Sequence, residues 1–162
     1  MIKTSFDPTL EQVIGEITAH IKQQMASRSY RAANELRDAS ALVLRGQRSG
    51  RRYKVPGTYR RQRDKTDGKM KNGRYYTASA PGEPPAVRLG HFRMSWQPSA
   101  RIEDGLYTSI LESELMVGTK QKYLLGEILE KGTRKMAPRP HQDLILKQAT
   151  PKIIRIYSEP YF

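Results

Sequence analysis

The chain has 162 residues, of which 37% are hydrophobic and 28% charged, and it contains no cysteine. Its length can bury a core unaided and predicts a single domain over 1–162; the missing cysteines exclude disulfide frameworks and thiolate metal sites. The opening MIKTSFDPTLEQ lacks the apolar core of a secretory signal, and no run approaches the ~18 apolar residues of a membrane span, so a soluble protein with no membrane partner is expected.

The charge is +13, and it is unevenly placed. Arg45 to Arg74 holds 12 basic residues against Asp64 and Asp67, so this segment alone carries +10 and the rest of the chain +3. A concentrated positive patch of this kind attracts phosphate.

In chain order, Asp7-Pro8 predicts a helix start, with Asp as N-cap and Pro in the first turn. Leu10, Val13, Ile14, Ile17, Ile21 and Met25 follow at helical spacing, predicting an amphipathic helix over 8 to about 26 with one buried stripe. Ala32, Leu36, Ala39 and Val43 continue the pattern from about 29 to 45, and Gly46 ends it. Ser27 and Ser29 leave open whether this helical region, 8–46, is one helix or two.

From 47 to 78 the helical pattern is lost, and RRYKVPGTYR and GRYYTAS carry aromatic and β-branched residues suited to a hairpin or extended arm. Arg48, Arg51, Arg52, Lys54, Arg60, Arg61, Arg63, Lys65, Lys69 and Lys71 are its candidate DNA-facing or partner-docking residues. Interleaved with Tyr53, Tyr59, Tyr75 and Tyr76, they could neutralise phosphates and stack on bases; a solvated arm, or one docked on an acidic neighbour, is equally compatible. From 79 to 162 come a proline-rich stretch, a short turn over RLGHFRMSW, and two strands around Asp104-Gly105. ELMVGT then extends the second strand or forms a third. A helix over 121–131 and a last helix in DLILKQATPKIIRIY follow, with Pro151 starting, kinking or interrupting the latter. This order predicts an α+β fold: N-terminal helices and a C-terminal helix packed on a small antiparallel sheet, with an extended basic hairpin.

Catalytic constellations are missing. His20, His91 and His141 have unlike neighbours and no metal-binding spacing; Glu112 with Glu114 reads as strand solvation, and Glu127 with Glu130 as ion pairing to Lys122 and Lys131. No cofactor loop is present, and no enzymatic activity is expected.

Two stretches carry more. TASAPGEPPAVRLGHFRMSW (77–96) and YLLGEILEKGTRKMAPRPHQDLI (123–145) resemble the neck, or tail-completion, proteins of long-tailed bacteriophages, the minor-tail-protein-Z-like group. The shared pattern is Ser-Ala-Pro-Gly-Glu-Pro-Pro-Ala at 79–86, Leu-Glu-x-Gly-Thr at 129–133 and Met-Ala-Pro-Arg-Pro at 136–140. His141 stands where that group has an aromatic residue, and Arg88 where it tends to an acidic one. The resemblance covers roughly 73–146.

It implies a structural virion protein at the head–tail interface, assembled in the host cytoplasm. The implied assembly is a ring of six copies between the head-side connector or adaptor and the tail terminator or tube proteins, with genomic DNA passing through. Interface residues would be Pro81, Pro84 and Pro85, and Gly132, Thr133, Arg134, Lys135, Met136, Pro138, Arg139 and Pro140. The alternative is a basic, sequence-independent nucleic-acid-binding protein acting through the arm.

Overall fold

The computed structural model describes residues 9–55, 62–63, 70–71 and 74–161, with the backbone alone at 62–63 and 70–71. The fold is α+β. A 36-residue helix, α1 (Leu10–Arg45), is its spine. Thr9 caps it: the hydroxyl accepts from Gln12 N at 3.4 Å while the Gln12 side chain accepts from Thr9 N at 2.9 Å, a reciprocal capping box. The helix therefore starts two residues beyond the expected position 8, and the expected cap Asp7 and first-turn Pro8 lie outside the described residues.

The serines at 27 and 29 do not break α1. Ser29 is fully buried, and its hydroxyl is 3.1 Å from that of Tyr157, so a tertiary partner removes its competition with the helix backbone.

Among the described residues, four antiparallel pairs follow α1. Strand β1 (Arg52–Lys54) pairs with β4 (Tyr75–Thr77), and β2 (Gln62–Arg63) with β3 (Met70–Lys71), which makes the basic segment a hairpin where it is described. A one-turn helix, α2 (His91–Met94), fills the expected turn. Strands β5 (Trp96–Glu103) and β6 (Leu106–Ser113) form the longest ladder, in register from Trp96 opposite Ser113 to Glu103 opposite Leu106. Asp104 and Gly105 join them, both with positive φ, as a two-residue type I′ connection requires. Met116–Val117 (β7) is a separate strand, pairing with Tyr123–Leu124 (β8). The helix expected from 121 starts only at Leu125, because 123–124 are taken by that pairing: α3 is Leu125–Lys131.

The last helix, α4 (Gln142–Tyr157), runs through Pro151 without interruption. Pro151 is exposed, so the carbonyl it leaves without an N–H partner can be hydrated, and Thr150 Oγ1 donates to Leu146 O one position earlier.

The core lies where α4 and the β5–β6 ribbon cover the C-terminal half of α1. Ala39, Ile145 and Ala149 are its centre, with Leu36, Val43, Leu111 and Ile153 packed on them. Small residues let the elements approach closely: Ala32, Ala33 and Ser40 are fully buried, and Ser109 Oγ donates to Ser29 O at 2.8 Å. The C-terminal tail returns to the middle of α1. There Arg28, 2% exposed, donates to Pro160 O at 2.7 Å and lies 3.9 Å over the Tyr161 ring, and Arg31 forms a two-bond pair with Glu159.

The expected buried stripe of the first half of α1 is only partly covered: Val13, Ile21 and Met25 are half-buried and the rest is exposed. Leu10 is 75% exposed, Ile14 55% and Ile17 44%, and every buried residue of α1 lies from Arg28 onward. The physical reason is length: α4 has 16 residues against 36, so it covers less than half of the rod.

Candidate interface: a proline clasp and a basic ribbon

The two motif-bearing stretches meet in space at the C-terminal end of α1. Ala80-Pro81-Gly82-Glu83 is a tight turn, with Glu83 N donating to Ala80 O at 3.2 Å and φ +81 at Gly82, which suits Pro then Gly at the two central positions. Gly82 N reaches across to Pro138 O at 3.2 Å, and Arg139 Nη1 donates to Ser79 O at 2.7 Å. Two loops separated by some 50 residues are thus sewn together backbone to backbone and guanidinium to carbonyl.

A third segment joins them, the exit from α1. Arg48 donates from Nε to Pro84 O at 2.7 Å and from Nη2 to Pro85 O at 3.1 Å and Val43 O at 2.8 Å. Glu83 accepts from Ser49 Oγ at 2.7 Å, Ser49 N at 3.1 Å and Ala80 N at 2.9 Å. The chemistry of proline explains the choice of partners. Pro84 and Pro85 present carbonyls but no N–H, so a backbone ladder cannot hold this segment, and an arginine with five donors can. Three hydrogen bonds to the charged carboxylate hold Glu83 at about 2, with Ser49 the largest contributor. Desolvation lowers the Arg48 pKa, opposed by the nearby Glu83 charge.

Arg48, expected in the DNA-facing arm, is therefore turned inward as a staple of the clasp. Arg139 likewise spends a donor inside its own chain. Pro85 is buried and Pro84 and Pro140 are half-buried, whereas Pro81, Thr133, Arg134, Lys135 and Pro138 are exposed. Gly132 ends α3 with φ 75 and ψ −173, and Thr133 and Met136 exchange hydrogen bonds across the turn that follows.

Beneath the clasp His141 is fully buried, edge-on to Phe92 and Trp96 at centroid distances of 5.4 and 5.9 Å. It fills the place of an aromatic ring. Its Nδ1 lies 2.8 Å from Glu130 Oε2 and 3.1 Å from Arg139 O; both are acceptors, so Nδ1 carries a proton and donates. The same Glu130 oxygen accepts from His141 N and Gln142 N at the start of α4. Glu130 is thus a helix cap and not the expected lysine partner. Among the described residues no group of three His, Asp or Glu side chains could hold a metal ion, and no helix is long and apolar enough to cross a membrane.

The basic ribbon projects elsewhere. On β1 and β4, Arg52 lies 4.6 Å and Lys54 5.7 Å from the Tyr75 ring centre, all three exposed; on the other face Tyr53 stacks with Tyr76 at 5.9 Å, and Arg51 lies 5.6 Å from Tyr53. Alternation along the strands produces the two faces. Arg60, Arg61, Lys65 and Lys69 lie outside the described residues; Arg63 and Lys71 sit in the β2–β3 pair.

Arg48 belongs to the clasp and not to the arm, and Ser49 and Glu83, absent from the residues expected at an interface, complete it. One signal was available: a carboxylate and a guanidinium flanking prolines that offer acceptors without donors. Compared with family models, with curated proteins and with solved structures, the chain matches none.

Proposed function

We propose that the chain is a structural subunit of a bacteriophage neck. Copies of it form a ring of six that joins the head connector to the tail and surrounds the DNA channel, without catalysis. The observation that carries this reading is the uncovered apolar stripe on the free half of α1, three of whose aliphatic side chains are 44–75% exposed. A subunit that is complete alone rarely leaves such a stripe in water. Support also comes from the clasp. Residues on which the resemblance to neck proteins rests supply two of the three segments it locks, Ser79 to Pro85 and Pro138-Arg139, the third being held to them by Arg48 and Ser49, an arrangement suited to presenting a fixed surface to a neighbour.

The β1–β4 ribbon favours a second role within the same assembly. Exposed Arg52 and Lys54 beside Tyr75 suit phosphate neutralisation without sequence readout. This ribbon also supports the alternative of a free-standing nucleic-acid binder.

Mass photometry and electron microscopy of the purified chain, alone and with head-side and tail-side neck proteins, test the proposal. Closed rings are expected, and the chain should be detected in purified particles. Ile14→Lys with Ile17→Lys should abolish the rings and leave the helical circular dichroism unchanged. A chain that stays monomeric in every mixture and is missing from particles would overturn the neck reading.

A further inference from the structure

We infer that neighbouring subunits join head to tail, the acidic apolar end of α1 from one copy lying in a basic-rimmed apolar groove of the next. The inference rests on the ring reading above and specifies how the ring is built. The groove, about 570 Å³, lies beside the clasp, within the size range of sites that receive a few apolar side chains. Leu89, Phe92, Leu125 and Met136 line it, Leu89 being 57% exposed.

Charge identifies the occupant. Leu10 to Ile21 contains Glu11 and Glu16 and no Lys or Arg, an acidic stretch in a chain of net charge +13. At ~100° per residue the two glutamates fall on opposite flanks of the Leu10, Ile14, Ile17, Ile21 stripe. The groove offers the complement: Arg88 and Arg93 border it, and no carboxylate is among the described residues that line it. None of these four charged residues makes an ion pair within the described residues. An amphipathic helix laid in an apolar groove is a recurrent mode of recognition.

Geometry assigns the occupant to another copy. Leu44, near the end of α1, lines the groove, and 30 residues of uninterrupted helix separate it from Ile14, about 45 Å at 1.5 Å per residue. A straight rod cannot lay its own beginning in a groove at its own end. Donor and acceptor surfaces are different patches, so the contact is heterologous. Such contacts give a ring where the rotation closes and a filament where it does not.

The absence of cysteine makes cross-linking a clean test. Ile14→Cys and Leu89→Cys are exposed positions on separate proteins. Mixed under mild oxidation, they should form a disulfide heterodimer, and the double variant a ladder of multimers; Ile17→Cys with Leu89→Cys serves as the second pair. Glu11→Arg with Glu16→Arg should weaken self-association ~10-fold or more, and Arg88→Glu with Arg93→Glu in the same chain should restore it. Oligomers that form with no cross-link from either pair, or that ignore the charge reversal, overturn this docking while leaving the ring reading intact. A chain that is monomeric alone at sub-millimolar concentration overturns the docking, and one that also stays monomeric in every mixture with neck proteins and is missing from particles overturns the ring reading as well. Cross-linking by a chain never found in particles would keep the docking and remove the neck assignment.

Discussion

Gly132 shows how one residue fixes the direction of a whole segment. Its φ of 75 with ψ of −173 lies in a region that is essentially closed to side chains and costs about 1–3 kcal/mol when one is forced there. Space is short as well: a Cβ would stand 2.7 Å from Met136 O and 2.8 Å from Pro138 N, backbone atoms that cannot swing aside. Gly132→Ala is therefore expected to destabilise the chain by about 3 kcal/mol, read as a lower urea midpoint. Gly15 predicts the opposite sign. It lies inside α1 with nothing within 4 Å of an added Cβ, so Gly15→Ala should raise helicity and add up to about 1 kcal/mol to the stability of that half of the helix. A Gly132→Ala variant as stable as the parent would remove the assignment of strain to Gly132, and a destabilised Gly15→Ala variant would remove the reading of Gly15 as an open helical site.

At the scale of elements, a single carboxylate ties the loops of the clasp to the exit of α1, through Ser49 and Ala80. Glu83 titrates near 2 when folded, against an ordinary value of 4.5. A depressed carboxylate contributes stability that is fully present above about 4.5 and disappears as the pH falls through about 2. Glu159, held down by its hydrogen bonds to Arg31 and by nearby positive charge, acts in the same direction on the C-terminal tail. Thermal melts from pH 6 to 2 should therefore show a falling midpoint. Glu83→Gln should begin lower at neutral pH and fall less; an unchanged acid profile in that variant would show that the clasp carboxylate is not a determinant. The clasp also marks what sequence could and could not reveal. The Asp104-Gly105 hairpin and the last helix are legible because turn chemistry and 3.6-residue periodicity are local. The pairing of 123–124 with 116–117 is not, because its partner lies across a turn and the local pattern reads as helix. Arg48 sits in a run of arginines, and only the fold separates the one that meets proline carbonyls from those that meet water. The stripe of α1 stands apart from its sequence expectation for a related reason: periodicity identifies an apolar face, but within the single subunit Leu10, Ile14 and Ile17 stay exposed.

For the molecule as a whole, the charge distribution separates a conduit from a glue. Arg52, Lys54 and Tyr75 are exposed on one face of the ribbon. In a ring, several such ribbons would add their fields around a central duplex. Contacts made to phosphate alone read no sequence, and their affinity depends steeply on salt because each one releases condensed counterions. A loose, salt-sensitive grip suits DNA that must later move. If the ribbon instead packs on the acidic end of a neighbouring α1, its charge is quenched inside the assembly and little net affinity for duplex remains. Titrating duplex binding between about 50 and 200 mM salt distinguishes these, with a log–log slope near −0.9 expected for each phosphate neutralised. Arg52→Ser with Lys54→Ser should flatten that slope by about 1.8, since two contacts are removed, while rings persist because the groove and the α1 stripe are untouched. Should the same pair of substitutions dissolve the rings and leave duplex binding unaltered, the ribbon is an assembly element and the DNA-facing reading is wrong.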